Sequence, residues 1–277
     1  MLKKYPLARK TLKTITQLIL AIIVYIIAMI VARRLFMPVL INFYEFNEIQ
    51  LHAVKGIANM FFIFFAYFLY VKYYEKRKAV ELKPTGMGML YGTLSGVLLI
   101  SITSVLLFAS NNYQVTTWQA ADGILLALIG LSSQVLITEI LFRGIIFRIL
   151  EQHIGTVYSL ILVPVSYGFL NISVDGLNLF MLISTILISA LWCSIFVLSR
   201  NIWVVGLHAT GWVCAIFLIG ILDEHWRVSA PIISSYNGSD IITGGSFGPE
   251  ASIITIVTVA ISLYFVLSRA KRKGQFI

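Results

Sequence analysis

The chain has 277 residues, of which 59% are hydrophobic and 12% are charged, and its formal net charge is +9 at pH 7. Soluble domains carry roughly 25% charged residues, so this composition excludes an ordinary soluble globular protein and indicates a polytopic membrane protein. The positive charge is then expected to set the orientation of the chain in the membrane and to contact anionic lipid at the inner leaflet. No nucleic-acid partner is predicted.

The apolar runs are continuous and lack the period-two alternation of a β-barrel, which favours membrane-spanning helices. A helix needs about 20 residues to cross a ~30 Å hydrocarbon core, and the sequence contains seven clear runs and a shorter eighth. The predicted fold class is therefore all-α, a bundle of about eight transmembrane helices that form a single integral membrane domain over residues 1–277. The predicted spans are 14–36, 53–72, 87–109, 122–150, 156–173, 177–199, 202–222 and 251–268.

The distribution of basic residues predicts an orientation, because cytoplasmic loops are enriched in Lys and Arg. With the N-terminus inside, sixteen of the 21 basic residues fall in cytoplasmic segments, four in outer segments and one inside a span. Both termini are therefore predicted to be cytoplasmic. The first span follows five basic residues but ends without a convincing cleavage site, so it is expected to be a retained anchor. The hydrophilic stretch 223–250 is predicted to be an outer loop.

Two charged residues inside one span are the first candidates for a functional site. Glu139 and Arg143 lie four residues apart and share a helix face, and a lone charge in hydrocarbon costs at least about 2.5 to 3.5 kcal/mol. They are predicted to pair or to line a polar cavity, and a purely structural ion pair between helices is the alternative. His208 and Asn171 lie on two other spans. The apolar surroundings give these polar groups a reason to meet, which favours a site.

Other patterns limit the chemistry. Cys193 and Cys214 both fall inside predicted spans and form no Cys-x-x-Cys motif, so neither a disulfide nor a metal site is predicted. No Walker loop or dinucleotide fingerprint occurs, and no cofactor is expected. Gly92 and Gly96 form a Gly-x-x-x-Gly pattern, which predicts a close contact between two helices.

Several segments resemble a known family. TEILFRG at 138–144 is similar to the Glu-Glu-x-x-x-Arg signature of the CPBP family, the CAAX-processing and bacteriocin-processing intramembrane proteases, also called the Abi family. YGFLN at 167–171 occupies the place of its Phe-x-x-x-His motif, and SRNIWVVGLHATGW at 199–212 resembles the segment that contains its third motif. ITGGSFGPEAS at 242–252 resembles a further stretch found in many bacterial members. The resemblance covers about 120–268, with order and spacing intact.

Three positions of the family's catalytic pattern are substituted. The first-motif glutamate, the second-motif histidine and the third-motif asparagine fall on Thr138, Asn171 and Trp212. Hydrolysis by water needs a base that takes the proton and donors aimed at the oxyanion. Threonine does not ionise near neutral pH, asparagine does not shuttle a proton, and tryptophan offers one indole donor. The resemblance therefore implies degenerate catalytic positions, as in a pseudoenzyme.

The resemblance retains Glu139, Arg143 and His208 and leaves two functions open. In the first, the protein is a weakly active or non-catalytic family member that binds a hydrophobic or prenylated peptide or protein, or acts in bacteriocin self-immunity. In the second, it is an active glutamate-dependent CAAX-type endopeptidase in which Glu139 is the base and His208 the proton shuttle. Adjacent helical residues point about 100° apart, which argues against Glu139 replacing residue 138. The style of the match predicts a bacterial cytoplasmic membrane protein.

Overall fold

The computed structural model describes residues 6–120, 122–171, 179–220 and 229–277, which are mostly helical. Three of the longest helices contain a π-helical stretch, Val31–Phe36, Tyr70–Tyr74 and Ile140–Phe147. Two short 3₁₀ segments, Val80–Leu82 and Gly245–Ala251, lie in the connections. In chain order the remaining elements are α1 Pro6–Ile30, α2 Met37–Phe43, α3 Glu48–Leu69, α4 Gly86–Ala109, β1 Tyr113–Trp118, α5 Ile124–Glu139, α6 Arg148–Ile154, α7 Thr156–Leu170, α8 Leu179–Ser199, α9 Ile202–Leu218, β2 Ile232–Tyr236, α10 Asp240–Thr243 and α11 Ile253–Arg272.

The prediction of an all-α polytopic membrane bundle is confirmed. Among the described residues, six helical stretches are long and apolar enough to cross a membrane, and two shorter apolar helices accompany them. All eight coincide in order with the predicted spans. The six are Lys10–Phe43, Glu48–Tyr74, Gly86–Ala109, Ile124–Ile154, Leu179–Ser199 and Ile253–Arg272, and the shorter two are Thr156–Leu170 and Ile202–Leu218.

A two-stranded antiparallel sheet was not predicted. β1 and β2 pair with Tyr113 opposite Tyr236, and the register is interrupted between Val115 and Thr117. The Tyr113 hydroxyl and the Ser234 hydroxyl lie 2.7 Å apart, and burial raises the pKa of Tyr113 above its usual value. β2 lies inside the stretch 223–250, so the connection that was predicted to be an outer loop contains a strand, and its place on the outer side stays a prediction. This side of the bundle is called the hairpin end.

The opposite side, called the terminal end, contains a network of ion pairs. Arg77 donates two hydrogen bonds to the Glu81 carboxylate, at 2.8 and 2.7 Å, and one to Glu75 at 2.6 Å. Arg148 donates to Glu75 at 2.7 Å, so the network joins the loop after α3 to α6. Burial raises the pKa of Glu81, but hydrogen bonds from Arg77 and Tyr67 outweigh burial and hold it below its usual value.

Close packing of α4 against α9 sets the position of His208. A Cβ added to Gly92 would lie 2.5 Å from the Val204 carbonyl oxygen, and one added to Gly96 would lie 1.9 Å from the His208 carbonyl oxygen. From the other side, a Cβ on Gly211 would lie 2.4 Å from the Thr93 carbonyl oxygen. The backbones therefore touch where only glycine fits, and the close helix contact predicted from Gly-x-x-x-Gly is confirmed.

Candidate functional site

Glu139 and Arg143 form an ion pair inside the bundle. The Arg143 Nη1 atom donates to Glu139 Oε1 at 3.0 Å, and both side chains have 0% exposure. Glu139 is the last residue of α5, and Arg143 lies in the π-helical stretch that follows it. The i,i+4 spacing thus remains close enough for a direct bond although the helix widens there. These contacts agree with the pairing of Glu139 and Arg143 that was predicted from their spacing.

Neighbouring helices complete the surroundings of Arg143. Its Nη2 atom donates to the Ser189 carbonyl oxygen at 3.1 Å and to the Ser189 hydroxyl at 2.9 Å. The guanidinium carbon lies 5.3 Å from the ring centroids of both Tyr167 and Trp192. A guanidinium within about 6 Å of an aromatic face is attracted to the ring quadrupole. The charge is therefore held by α7 and α8 as well as by Glu139, so the pair links three helical segments.

The ion pair is enclosed by packing, although one polar atom of each partner is unpaired in the described part of the chain. Glu139 Oε2 and Arg143 Nε are buried without a hydrogen-bond partner among the described residues. On the α9 side, a Cβ added to Gly206 would lie 3.9 Å from the Glu139 Cβ and Cγ atoms and 2.6 Å from Leu136. The carboxylate stem is thus covered by helix packing. This arrangement fits a structural ion pair and gives water no described route to Glu139.

His208 lies two turns into α9, which begins where the Asn201 side chain accepts hydrogen bonds from Trp203 N at 2.9 Å and Val204 N at 3.2 Å. The imidazole is 3% exposed, and its Nδ1 atom lies 2.8 Å from the Ser95 hydroxyl oxygen. Ser95 donates its own proton to the Gly92 carbonyl oxygen at 2.8 Å. The hydroxyl has one proton, so Ser95 either accepts from His208 Nδ1–H while it donates to Gly92, or donates to Nδ1 itself.

The other ring nitrogen, Nε2, is buried and has no hydrogen-bond partner among the described residues. His208 lines a cavity of about 470 Å³, called here the histidine groove. Four helices contribute mostly apolar side chains to it: α4, α8, α9 and α11. Its lining residues are Tyr91, Gly92, Ser95, Leu98, Leu99, Ile102, Leu191, Ile195, Leu198, Val204, His208, Ser262, Phe265 and Val266.

Thr138 belongs to different surroundings. Its hydroxyl donates to the Gln134 carbonyl oxygen one turn back at 3.0 Å. It lines a separate cavity of about 670 Å³, which shares no lining residue with the histidine groove. The residue at the family's first-motif position is therefore turned away from both Glu139 and His208, as the 100° step between adjacent helical residues predicts.

The two other substituted positions also lie apart from the ion pair. Asn171 is exposed at the end of α7, and its Nδ2 atom donates to the Tyr167 carbonyl oxygen at 2.7 Å. Trp212 is fully buried, and its Nε1 atom donates to Glu250 Oε1 at 2.6 Å. In the described part of the chain, no hydrogen bond or ion pair connects Glu139 to His208 or to Asn171. The shared site that was expected from the sequence therefore stays a prediction.

Sequence reasoning missed several residues that contact the site. Ser95 and Ser189 gave no signal, because single serines are common in apolar helices, where their hydroxyls bond to the preceding turn. Tyr167 stands in YGFLN, four residues before Asn171, and its ring contacts Arg143. The second-motif segment thus reaches the ion pair, but through its first residue.

These features define a class: a polytopic α-helical membrane protein with an internal ion pair and a separate apolar groove that contains a histidine. Residues 116–215 match the family described as Type II CAAX prenyl endopeptidase Rce1-like. This region therefore carries an Rce1-like domain, and the resemblance to the CPBP family is confirmed over it. Comparisons with curated proteins and with solved structures gave no match. The extension of the family core to residue 268 stays a prediction.

Proposed function

We propose that the protein binds a hydrophobic or prenylated peptide in the histidine groove and hydrolyses it weakly or not at all. The observation that supports this most directly is the separation of the groups: His208 lines an apolar cavity of about 470 Å³, whereas Glu139 is sealed by packing and by Arg143. Cavities of ~300–1,000 Å³ with a few polar groups are typical of small-ligand sites.

The groove suits one long apolar chain with a single polar contact. Leucine, isoleucine and valine side chains form most of its walls, and Ser95, His208 and Ser262 are its few polar members besides a tyrosine. If an apolar chain moves from water into the groove, the transfer is favourable by roughly 25 cal/mol per Å² of apolar surface that leaves the water. The His208 Nε2 atom is buried without a hydrogen-bond partner among the described residues, and in this proposal a polar group of the lipidated peptide pairs with it.

Hydrolysis needs a base that takes a proton from water, and neither Thr138 nor Glu139 is placed to act as one on a ligand in the histidine groove. The family's water-activating position holds Thr138, whose hydroxyl is bonded to its own helix and which lines the other cavity. Glu139 contributes one oxygen to Arg143, and its other oxygen is buried. A base must come within about 2.6–3.2 Å of the proton that it takes. For Glu139 to meet this condition with a ligand in the histidine groove, α5 would have to rotate.

The first experiment tests cleavage. The purified protein is incubated in detergent with a fluorogenic farnesylated peptide, beside His208→Ala and Glu139→Gln. All three are expected to give the same signal as protein-free detergent. Cleavage by the wild type that disappears in Glu139→Gln would overturn the non-catalytic proposal and establish the active glutamate-dependent endopeptidase instead.

The second experiment tests binding with a matched pair of variants on α4. Leu98 lines the groove and is 63% exposed, whereas Leu94, one turn earlier, is 55% exposed and does not line it. A photoreactive farnesyl peptide is expected to label the wild type and Leu94→Trp, and to label Leu98→Trp several-fold less because the indole fills the groove. Equal labelling of both variants would contradict the groove as the site.

We further propose that the protein resides in the bacterial cytoplasmic membrane with the terminal end facing the cytoplasm. The supporting observation is the basic segment from Lys72 to Lys83, which lies beside the ion-pair network at that end. A cysteine placed at Lys76, in an otherwise cysteine-free variant, is expected to be labelled by an impermeant maleimide only after cell lysis. Labelling of intact cells would show the opposite orientation.

The role in bacteriocin self-immunity stays a prediction from the resemblance.

A further inference from the structure

The second cavity, of about 670 Å³, has no part in the proposed function and differs from the histidine groove in its chemistry. It lies between α1, α2, α3 and α5. Arg33, Arg34 and Lys55 line it, and neither an aspartate nor a glutamate does. We call it the cationic cavity. Three positive side chains that converge on one space without an acid create a potential that favours an anion.

The three cations are not neutralised by the protein itself. Among the described residues, none of them takes part in an ion pair. Elsewhere in the chain arginine does pair, as Arg77 and Arg148 do with glutamates at the terminal end. Arg269 and Arg272 in the last turn of α11 also form no ion pair within the described part of the chain. What distinguishes the three cations is therefore that they line one cavity, where they are available to a ligand.

A buried amide is the second, independent observation. Asn59 lines the cationic cavity at 7% exposure, and its Oδ1 atom has no hydrogen-bond partner among the described residues. Leaving a buried polar group unsatisfied costs about 1 to 3 kcal/mol. An amide carries both donors and acceptors, so by rotation about its last bond it offers either an N–H or a carbonyl. A polar ligand in the cavity would satisfy it.

The length of the first helical stretch relates the cationic cavity to the lipid headgroups. Arg33 lies twenty residues after Lys13 on one continuous helical stretch, which corresponds to about 30 Å. This length equals the thickness of the hydrocarbon core. If Lys13 lies at the headgroups of one leaflet, Arg33 and Arg34 lie at the headgroups of the other, where lipid phosphates are. Met29, Met37 and Ile137 provide apolar walls beside the cations.

We propose that the cationic cavity binds a phosphate oxyanion through Arg33, Arg34 and Lys55, with Asn59 bonding to the rest of the headgroup. The phosphate is presented by an anionic phospholipid or by a soluble phosphate compound. Arginine matches phosphate geometry with two parallel N–H donors, which makes the Arg33–Arg34 step a suitable main contact. This inference does not rest on the proposed function, because the two cavities share no lining residue.

The lipid arm of the test uses nanodiscs of phosphatidylcholine that contain phosphatidylglycerol, followed by native mass spectrometry of the lipid that remains bound after release into detergent. The double variant Arg33→Gln with Arg34→Gln is expected to retain phosphatidylglycerol about 30-fold less, from a factor of roughly five per cation. The control Lys271→Gln with Arg272→Gln removes the same charge from exposed positions in the last turn of α11 and is expected to retain it as the wild type does.

The soluble arm titrates inorganic phosphate and glycerol 3-phosphate into the protein in neutral detergent and follows the melting temperature. A rise in the wild type that is absent in the Arg33, Arg34 double variant would identify a soluble source. Gln134→Glu adds a carboxylate to the lining without removing a cation and is expected to weaken whichever ligand binds. If neither ligand distinguishes the cavity variants from the wild type, or if the Lys271, Arg272 control loses binding equally, the proposal is overturned.

Discussion

Removal of the Arg143 side chain tests the reasoning about charges inside the bundle. Arg143→Ala deletes the hydrogen bond to Glu139, two hydrogen bonds to Ser189 and the contact with two aromatic rings, in a place with 0% exposure. Breaking a buried pair from one side typically costs 3 to 5 kcal/mol, because the remaining charge is left uncompensated. For a chain of this size that corresponds to a fall in melting temperature of roughly 10 °C.

The assay is a double-mutant cycle on protein extracted from membranes, with the melting temperature and the monodisperse yield as readouts. Arg143→Ala is expected to lose both. Arg143→Met combined with Glu139→Leu is expected to regain most of the stability, because replacing both partners by apolar residues of similar volume is often neutral. Arg269→Ala is the matched control: Arg269 is exposed in the last turn of α11, and its loss should change stability by about 0.5 kcal/mol or less.

One result would refute this account. If Arg143→Ala melts within 2 °C of Arg269→Ala, Glu139 tolerates its position without a cation, and the pair does not hold the helices together. Stability that falls in Arg143→Ala and is not regained in the double variant would show instead that Arg143 acts through Ser189 and the aromatic rings rather than through Glu139.

Three further predictions concern other parts of the fold. Gly96→Ala should destabilise the protein by about 1 to 3 kcal/mol in thermal melts, since its Cβ would overlap the His208 carbonyl, whereas Gly86→Ala, with nothing within 4 Å, should not. Trp212→Phe should cost about 1.5 to 3 kcal/mol through the lost bond to a carboxylate. The depressed pKa of Glu81 means that its stabilisation is complete above about pH 4.5 and is lost as the pH falls below the lower folded value, so the melting difference between wild type and Glu81→Gln should shrink on acidification toward pH 3.

The sequence determined the helices well, because an apolar run of sufficient length has few alternatives in a bilayer. It did not predict the hairpin. The β2 segment IISSY is short and lies in a polar stretch, and its pairing partner β1 lies more than a hundred residues away. Strand pairing at that separation is a tertiary property, and no local pattern encodes it.

The candidate site was predicted in part. The Glu139 and Arg143 spacing was sufficient for the ion pair, because i,i+4 neighbours on a helix meet wherever the helix is placed. The meeting of Glu139 with His208 and Asn171 depended on the rotation of three separate helices and on where α7 ends. Asn171 lies exposed at the end of α7, and Tyr167, one turn earlier in the same segment, provides the contact with Arg143.

The retention of Glu139 and Arg143 is therefore weak support for catalysis, since burial alone accounts for both. Each has nearly all of its polar atoms engaged within the protein or covered by packing. His208 also has one polar atom bonded and the other without a partner among the described residues, but its ring lines the histidine groove, whereas Glu139 lines neither of the two cavities. The functional question for this scaffold is accordingly which group of a ligand in the groove forms a hydrogen bond with the His208 imidazole.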